Sequence, residues 1–95
     1  MIASFAGKGT AEFAETGKTR RGWQQVASVA LRKIDALRAA TRLEDLRVPP
    51  GNRLEAHKGD REGQHSIRIN DQWRVCFHRT ANGAEDVEIV DYHKG

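Results

Sequence analysis

A chain of 95 residues, 38% hydrophobic and 31% charged, can surround one hydrophobic core, which excludes two separate catalytic domains and makes residues 1–95 a single predicted domain. Cys76 is the only cysteine and cannot form an internal disulfide, and there is neither an apolar leader nor a run of roughly 18 apolar residues. The expected setting is therefore a reducing cytoplasm, without a membrane. A net charge of +3 permits a polyanionic partner without requiring one, and its distribution says more. Residues 1–50 hold nine Lys or Arg against five acids, and residues 51–95 hold seven against eight, so the first half is the basic half.

In chain order, the apolar patch Ile2 to Phe5 is too short to classify. A first helix is predicted from about Thr10 to Glu15, with Thr10 as N-cap, Phe13 as apolar anchor and Gly17 as its stop. After a polar, basic segment from Lys18 to Gly22, Trp23, Val26, Ala30, Ile34 and Leu37 recur at spacings of three and four, which predicts a long amphipathic helix. Its outer face carries Arg32, Lys33 and Asp35. The pattern continues weakly through Leu43 and Leu46, and Pro49, Pro50 and Gly51 then end the helical half.

From Arg53 onward the hydrophobic period changes to two. A short strand is expected before Gly59. Ile67 and Ile69 then alternate with Ser66, Arg68 and Asn70; Trp73, Val75 and Phe77 with Arg74, Cys76 and His78; and Val87 and Ile89 with Asp86 and Glu88. The fold class is thus α+β, with N-terminal helices packed on a small antiparallel sheet. Cross-strand partners share a face, so the first hairpin needs a three-residue loop, Asn70 to Gln72, that pairs Ile69 with Trp73 and Ile67 with Val75. The same reasoning over a five-residue loop, Thr80 to Ala84, sets Val87 against Phe77 and Ile89 against Val75.

This register places Arg68 opposite Arg74 on the polar face. Two guanidinium groups so placed repel unless an anion lies near, which marks them as a candidate phosphate site, or as a pair neutralised by Glu88 or solvent. Glu55, His57 and Lys58 crowd the segment before Gly59, and Lys58 is a candidate to join the arginines around a phosphate. The chain closes on Asp91, Tyr92 and His93. Here an imidazole can exchange a proton near neutral pH, and a phenol offers a stacking face for a base. His57, His65, His78 and His93 stand at no metal-ligand spacing, so neither metal nor other cofactor is expected. Trp23 and Trp73 read as core, and Cys76 as inert.

Together, the run from Asn52 to Asp60, the segment Gln64 to Ile69, the stretch Asn70 to Phe77 and the ending Val87 to His93 resemble the HigB-type toxins of the RelE/ParE superfamily. The opening Met1 to Phe5 and Glu15 to Gly17 fit as well. The resemblance implies a compact RelE-like fold, a HigA-like helix-turn-helix antitoxin as partner, and metal-independent cutting of mRNA in the decoding site of the ribosome. Carried over by position, Lys58 and Arg74 would stabilise the charged phosphate; Arg68, set opposite Arg74 by the register, is a further candidate for phosphate contact. His93 would be general acid or base, Asp91 would orient or share its proton, and Tyr92 would stack on a nucleotide. Some relatives have His where this chain has Glu55, and an apolar residue is common at His57. Glu55 is therefore the expected proton acceptor, with His57 as the alternative. Two other readings stay open: a ParE-like gyrase inhibitor that binds protein without cutting RNA, and an inactive toxin that binds only its antitoxin.

Overall fold

The change of hydrophobic period near Arg53 divides the molecule. The computed structural model describes residues 1–20 and 22–91, in which two helices precede a four-stranded antiparallel sheet. The helices are α1, Lys8–Thr16, and α2, Ala27–Ala39. The strands β1 (Glu55–Ala56), β2 (Gln64–Arg68), β3 (Trp73–Thr80) and β4 (Gly83–Asp91) lie side by side in that order. This is the expected α+β architecture.

The first helix corrects one expectation. Thr10 is not its cap, because α1 starts at Lys8 after Gly7. Thr10 is instead buried, and its hydroxyl accepts the Ile89 N–H at 3.2 Å, tying the helix to β4. Gly17 does end the helix: its φ of 79° is costly for other residues, and its N–H reaches the Phe13 carbonyl at 2.8 Å. Trp23 leads into a 3-10 turn, Gln24–Val26, before α2 begins. The weak pattern that follows forms another 3-10 turn, Leu43–Arg47. There the Asp45 carboxylate accepts the Thr41 and Arg42 N–H groups, which hold its pKa below the usual carboxylate value.

One stripe of α2, formed by Ala30, Ile34 and Leu37, is buried together with Phe13 and Leu46. Facing them in the core are Ile67, Val75, Phe77 and Val87, all on the predicted sheet face. Trp23 packs edge-on against Phe13 and Trp73, with centroids 5.6 and 6.3 Å away. Both tryptophans therefore serve the core, as expected.

The β2–β3 register is the predicted one, with Ile67 opposite Val75 and Arg68 opposite Arg74. In the next hairpin Val75 does face Ile89, but the five-residue loop is wrong. Thr80 pairs with Gly83 across a tight turn, and a bulge between Cys76 and His78 absorbs the difference. Asp86, at φ 54°, marks the extra residue, and it keeps Val87 pointing into the core while the strand continues past the turn. The outer edge of β4 is covered by the N-terminal segment. Ile2 and Phe5 form parallel bridges to Ala84 and Val87, which removes an open edge. No helix among the described residues is long and apolar enough to cross a membrane.

Candidate active site

The polar face of the sheet is closed over at its centre. Ser66, Arg74 and Cys76 are all buried, although strict alternation places them away from the hydrophobic core. Burial pushes the Cys76 thiol above its usual pKa, which keeps it protonated and in the inert role expected of it.

Arg74 is stabilised there by specific partners rather than by solvent. Its Nε donates to the Ser66 hydroxyl at 2.7 Å, its Nη2 donates to the Arg53 carbonyl at 2.6 Å, and its Nη1 lies 3.7 Å from a Glu55 carboxylate oxygen. Arg53 can present its carbonyl because its own backbone turns left-handed, at φ 45°, after the 3-10 turn Pro50–Asn52. Asn52 pins that turn. Its buried amide donates to the Leu46 and Val48 carbonyls, and its oxygen accepts from Lys33 Nζ on α2. Partial burial lowers the Lys33 pKa first, and the neighbouring Arg32 and Arg68 charges lower it further.

β1 adds the acidic and imidazole members. Glu55 pairs with Ser66 across the β1–β2 ladder, and the His57 N–H donates to the Gln64 carbonyl at 2.9 Å. These contacts bring His57 Nε2 within 2.7 Å of the Ser66 hydroxyl. Burial lowers the His57 pKa first and the Arg74 charge second; Glu55 opposes them, and Arg61 and His65 contribute further lowering. An imidazole and a guanidinium group thus share one serine hydroxyl.

Of the residues singled out from sequence, Glu55 and Arg74 meet in this cluster, and His57 belongs there too. Arg68 sits directly opposite Arg74 but turns to Asp71 in the hairpin at 2.5 Å, so the two opposed arginines find separate carboxylates. Lys58 stands exposed before the 3-10 turn Gly59–Arg61 and, among the described residues, makes neither a hydrogen bond nor an ion pair. Asp91, opposite Trp73, accepts from Gln72 Nε2 at 3.1 Å. Tyr92 and His93 lie outside the described residues. Reading the sequence missed Ser66 and the Arg53 carbonyl. The register had nevertheless placed Ser66 on the polar face, one step from the rung of Arg74. Among the described residues, no three His, Cys, Asp or Glu side chains come together as a metal-binding group.

Residues 3–93 match the family described as the RelE-like toxin of the type II toxin-antitoxin system HigB. The chain belongs to the HigB-like toxins. It is 36% identical to the toxin HigB-1 of Vibrio cholerae over 95 residues, covering 99% of both chains. It is 32% identical to the endoribonuclease HigB of Proteus vulgaris over 93 residues, covering 98% of this chain and 100% of that one. Among solved structures, the YoeB-YefM complex from Staphylococcus aureus contains a chain with the same fold, at a TM-score of 0.56 and 18% identity over 98% of both chains. The resemblance expected from the strand motifs is thus a family membership that spans almost the whole molecule. As a type II toxin, the chain has an antitoxin as its partner.

Proposed function

We propose that this HigB-like toxin is an endoribonuclease that cuts mRNA on the ribosome, and that a HigA-like helix-turn-helix protein is its antitoxin. The cluster of Arg74, Ser66, His57 and Glu55 carries the reading, because it fixes a cation and a neutral base together on a rigid sheet. The attacking group is the substrate's own 2′-hydroxyl. It bonds to the neighbouring phosphorus, the P–O5′ bond breaks, and the products end in a 2′,3′-cyclic phosphate and a 5′-hydroxyl. The protein must align the strand, take the 2′-proton, give a proton to O5′ and stabilise the extra charge on the phosphorane.

Arg74 suits the last task through its Nη1 edge, where phosphate would compete with the exposed carboxylate of Glu55. Lys58, exposed beside β1, supplies a second cation to the same phosphate. His93 and Asp91 are assigned the proton transfers, Tyr92 the stacking of a base, and Arg68 a contact to the RNA backbone. Glu55 is the proton acceptor on the β1 side. With the phosphate seated, its carboxylate leaves Arg74 for the 2′-hydroxyl.

The test is to map cleavage ends on message bound to translating ribosomes. The wild type should cut, Lys58→Ala and His93→Ala should each cut at least about a hundredfold more slowly, and the Lys58 variant should keep wild-type stability to within about 0.5 kcal/mol. Near-normal cleavage by both variants would overturn the assigned roles. A wild type that leaves message intact and traps gyrase on DNA would overturn the reaction itself.

A further inference from the structure

We propose that Ser66 is a positioning residue that locks Arg74 and His57 into one hydrogen-bonded unit, its hydroxyl hydrogen directed at His57 Nε2 so that His57 carries its proton on Nδ1. The proposal deepens the ribonuclease reading of the same site and rests on that reading for its effect on rate.

The argument is one of hydrogen inventory. A serine hydroxyl has one hydrogen and two lone pairs, and an arginine Nε–H can only donate. The 2.7 Å contact from Arg74 therefore uses a lone pair of Ser66 Oγ. The second 2.7 Å contact, to His57 Nε2, is left for the hydroxyl hydrogen or the other lone pair. If Nε2 carried a hydrogen, the hydroxyl would have to send its own hydrogen to a third acceptor from a fully buried side chain. An imidazolium would in addition add a second positive charge beside Arg74. The O–H···N arrangement satisfies all three groups with one oxygen.

The surrounding charges agree. Among the described residues that act on His57, Arg74 on β3, Arg61 in the turn after β1 and His65 on β2 disfavour its charged form, and Glu55 on β1 favours it. Ser66 also receives Arg74 Nη2 at its carbonyl, at 3.5 Å, so one residue holds two edges of the guanidinium. Losing its hydroxyl loosens Arg74 and removes the bond that favours neutral His57. Arg74 itself and the cleavage reaction would then be affected through one atom that never touches RNA.

The wild-type tautomer decides the assignment without any substitution. In ¹⁵N-labelled protein at pH 7, His57 should show a bare, hydrogen-bonded Nε2 and a protonated Nδ1. An Nε2–H tautomer or an imidazolium at that pH would overturn the proposal. Ser66→Ala should raise the His57 pKa measured by NMR and lower kcat on ribosome-bound message by about tenfold or more. KM should change less than kcat, and Ser66→Thr, which keeps the hydroxyl, should recover part of the rate. If Ser66→Ala folds and keeps both the wild-type His57 titration and the wild-type rate, Ser66 has no positioning role. If the wild type shows the stated tautomer yet leaves message uncut, the hydrogen-bond assignment stands and the ribonuclease reading falls.

Discussion

The two faces of the sheet are both buried at their centre, for opposite physical reasons. On one, Ile67, Val75, Phe77 and Val87 leave water by packing against α2 and Phe13. On the other, Ser66 and Arg74 leave water because the hydroxyl, the guanidinium and the Arg53 carbonyl satisfy one another, with Glu55 balancing the charge. The first face is held by area and shape, which tolerate an exchange of one apolar group for another of similar volume. The second is held by a small set of directional bonds, in which each member depends on the others. A buried face can thus be either the fold's main store of stability or a rigid mount for chemistry.

Substitution should separate the two. Phe77→Ala removes a fully buried ring and is expected to cost about 3–5 kcal/mol, a large share of the roughly 5–15 kcal/mol that holds a domain. The fraction that stays folded should still cleave at nearly the wild-type rate. Arg74→Ala should cost less stability, about 1–3 kcal/mol for the unsatisfied Ser66 and Arg53 oxygens, yet lower cleavage by about 10² to 10³. Arg74→Lys should not rescue it, because one ammonium group cannot span both Ser66 and the Arg53 carbonyl. Urea unfolding beside single-turnover cleavage measures both quantities. If the two variants lost stability and rate in the same proportion, the distinction between the faces would be gone.

The apolar face was legible because alternation and register both report on it. Ile67 opposite Val75 and Arg68 opposite Arg74 follow from a loop length that keeps Ile and Val on one side. The burial of the polar face was not, because what covers it is irregular chain. The segment carrying Arg53 and Glu55 is set by the side chain of Asn52 and by a left-handed Arg53, neither of which has a periodic signature. Glu55, His57 and Arg74 could be named from motif and face, but their junction is a serine that reads as an ordinary alternating residue. The second hairpin was misread for a related reason. Gly83 belongs to β4, and the bulge at Asp86 compensates for the tight turn, so the faces come out right from a wrong loop.

That bulge supports a smaller prediction, because it is where β4 keeps its apolar side on the core. Asp86 holds a left-handed conformation that Asn and Gly also accept, whereas a β-branched side chain does not. Asp86→Val should lose about 1–2 kcal/mol, and Asp86→Asn should be close to neutral, as read from urea midpoints. Asp86 is exposed and its N–H reaches the Ser4 hydroxyl at 2.9 Å, so neither change removes a core contact or that backbone bond. Equal stability of the two variants would mean that β4 can reach its register without the left-handed residue.

The smallest effect concerns pH and belongs wholly to the polar face. The pKa of His57 is lowered by burial and by Arg74, so below about 6.5, its value in an unfolded chain, the unfolded state binds a proton that the folded state resists. Stability from this residue is therefore complete above that pH and is lost as pH falls through the window down to the folded value. The ring is partly in solvent, which keeps the loss modest. His57→Gln has no proton to bind, so its urea midpoint should fall less between pH 7.5 and 5.5 than that of the wild type. Phe77→Leu, an apolar change on the other face, should keep the wild-type pH slope whatever its own stability. Parallel pH dependence in wild type and His57→Gln would show that the imidazole is not held neutral beside Arg74, and the polar face would then lose the electrostatic coupling that sets it apart from the core.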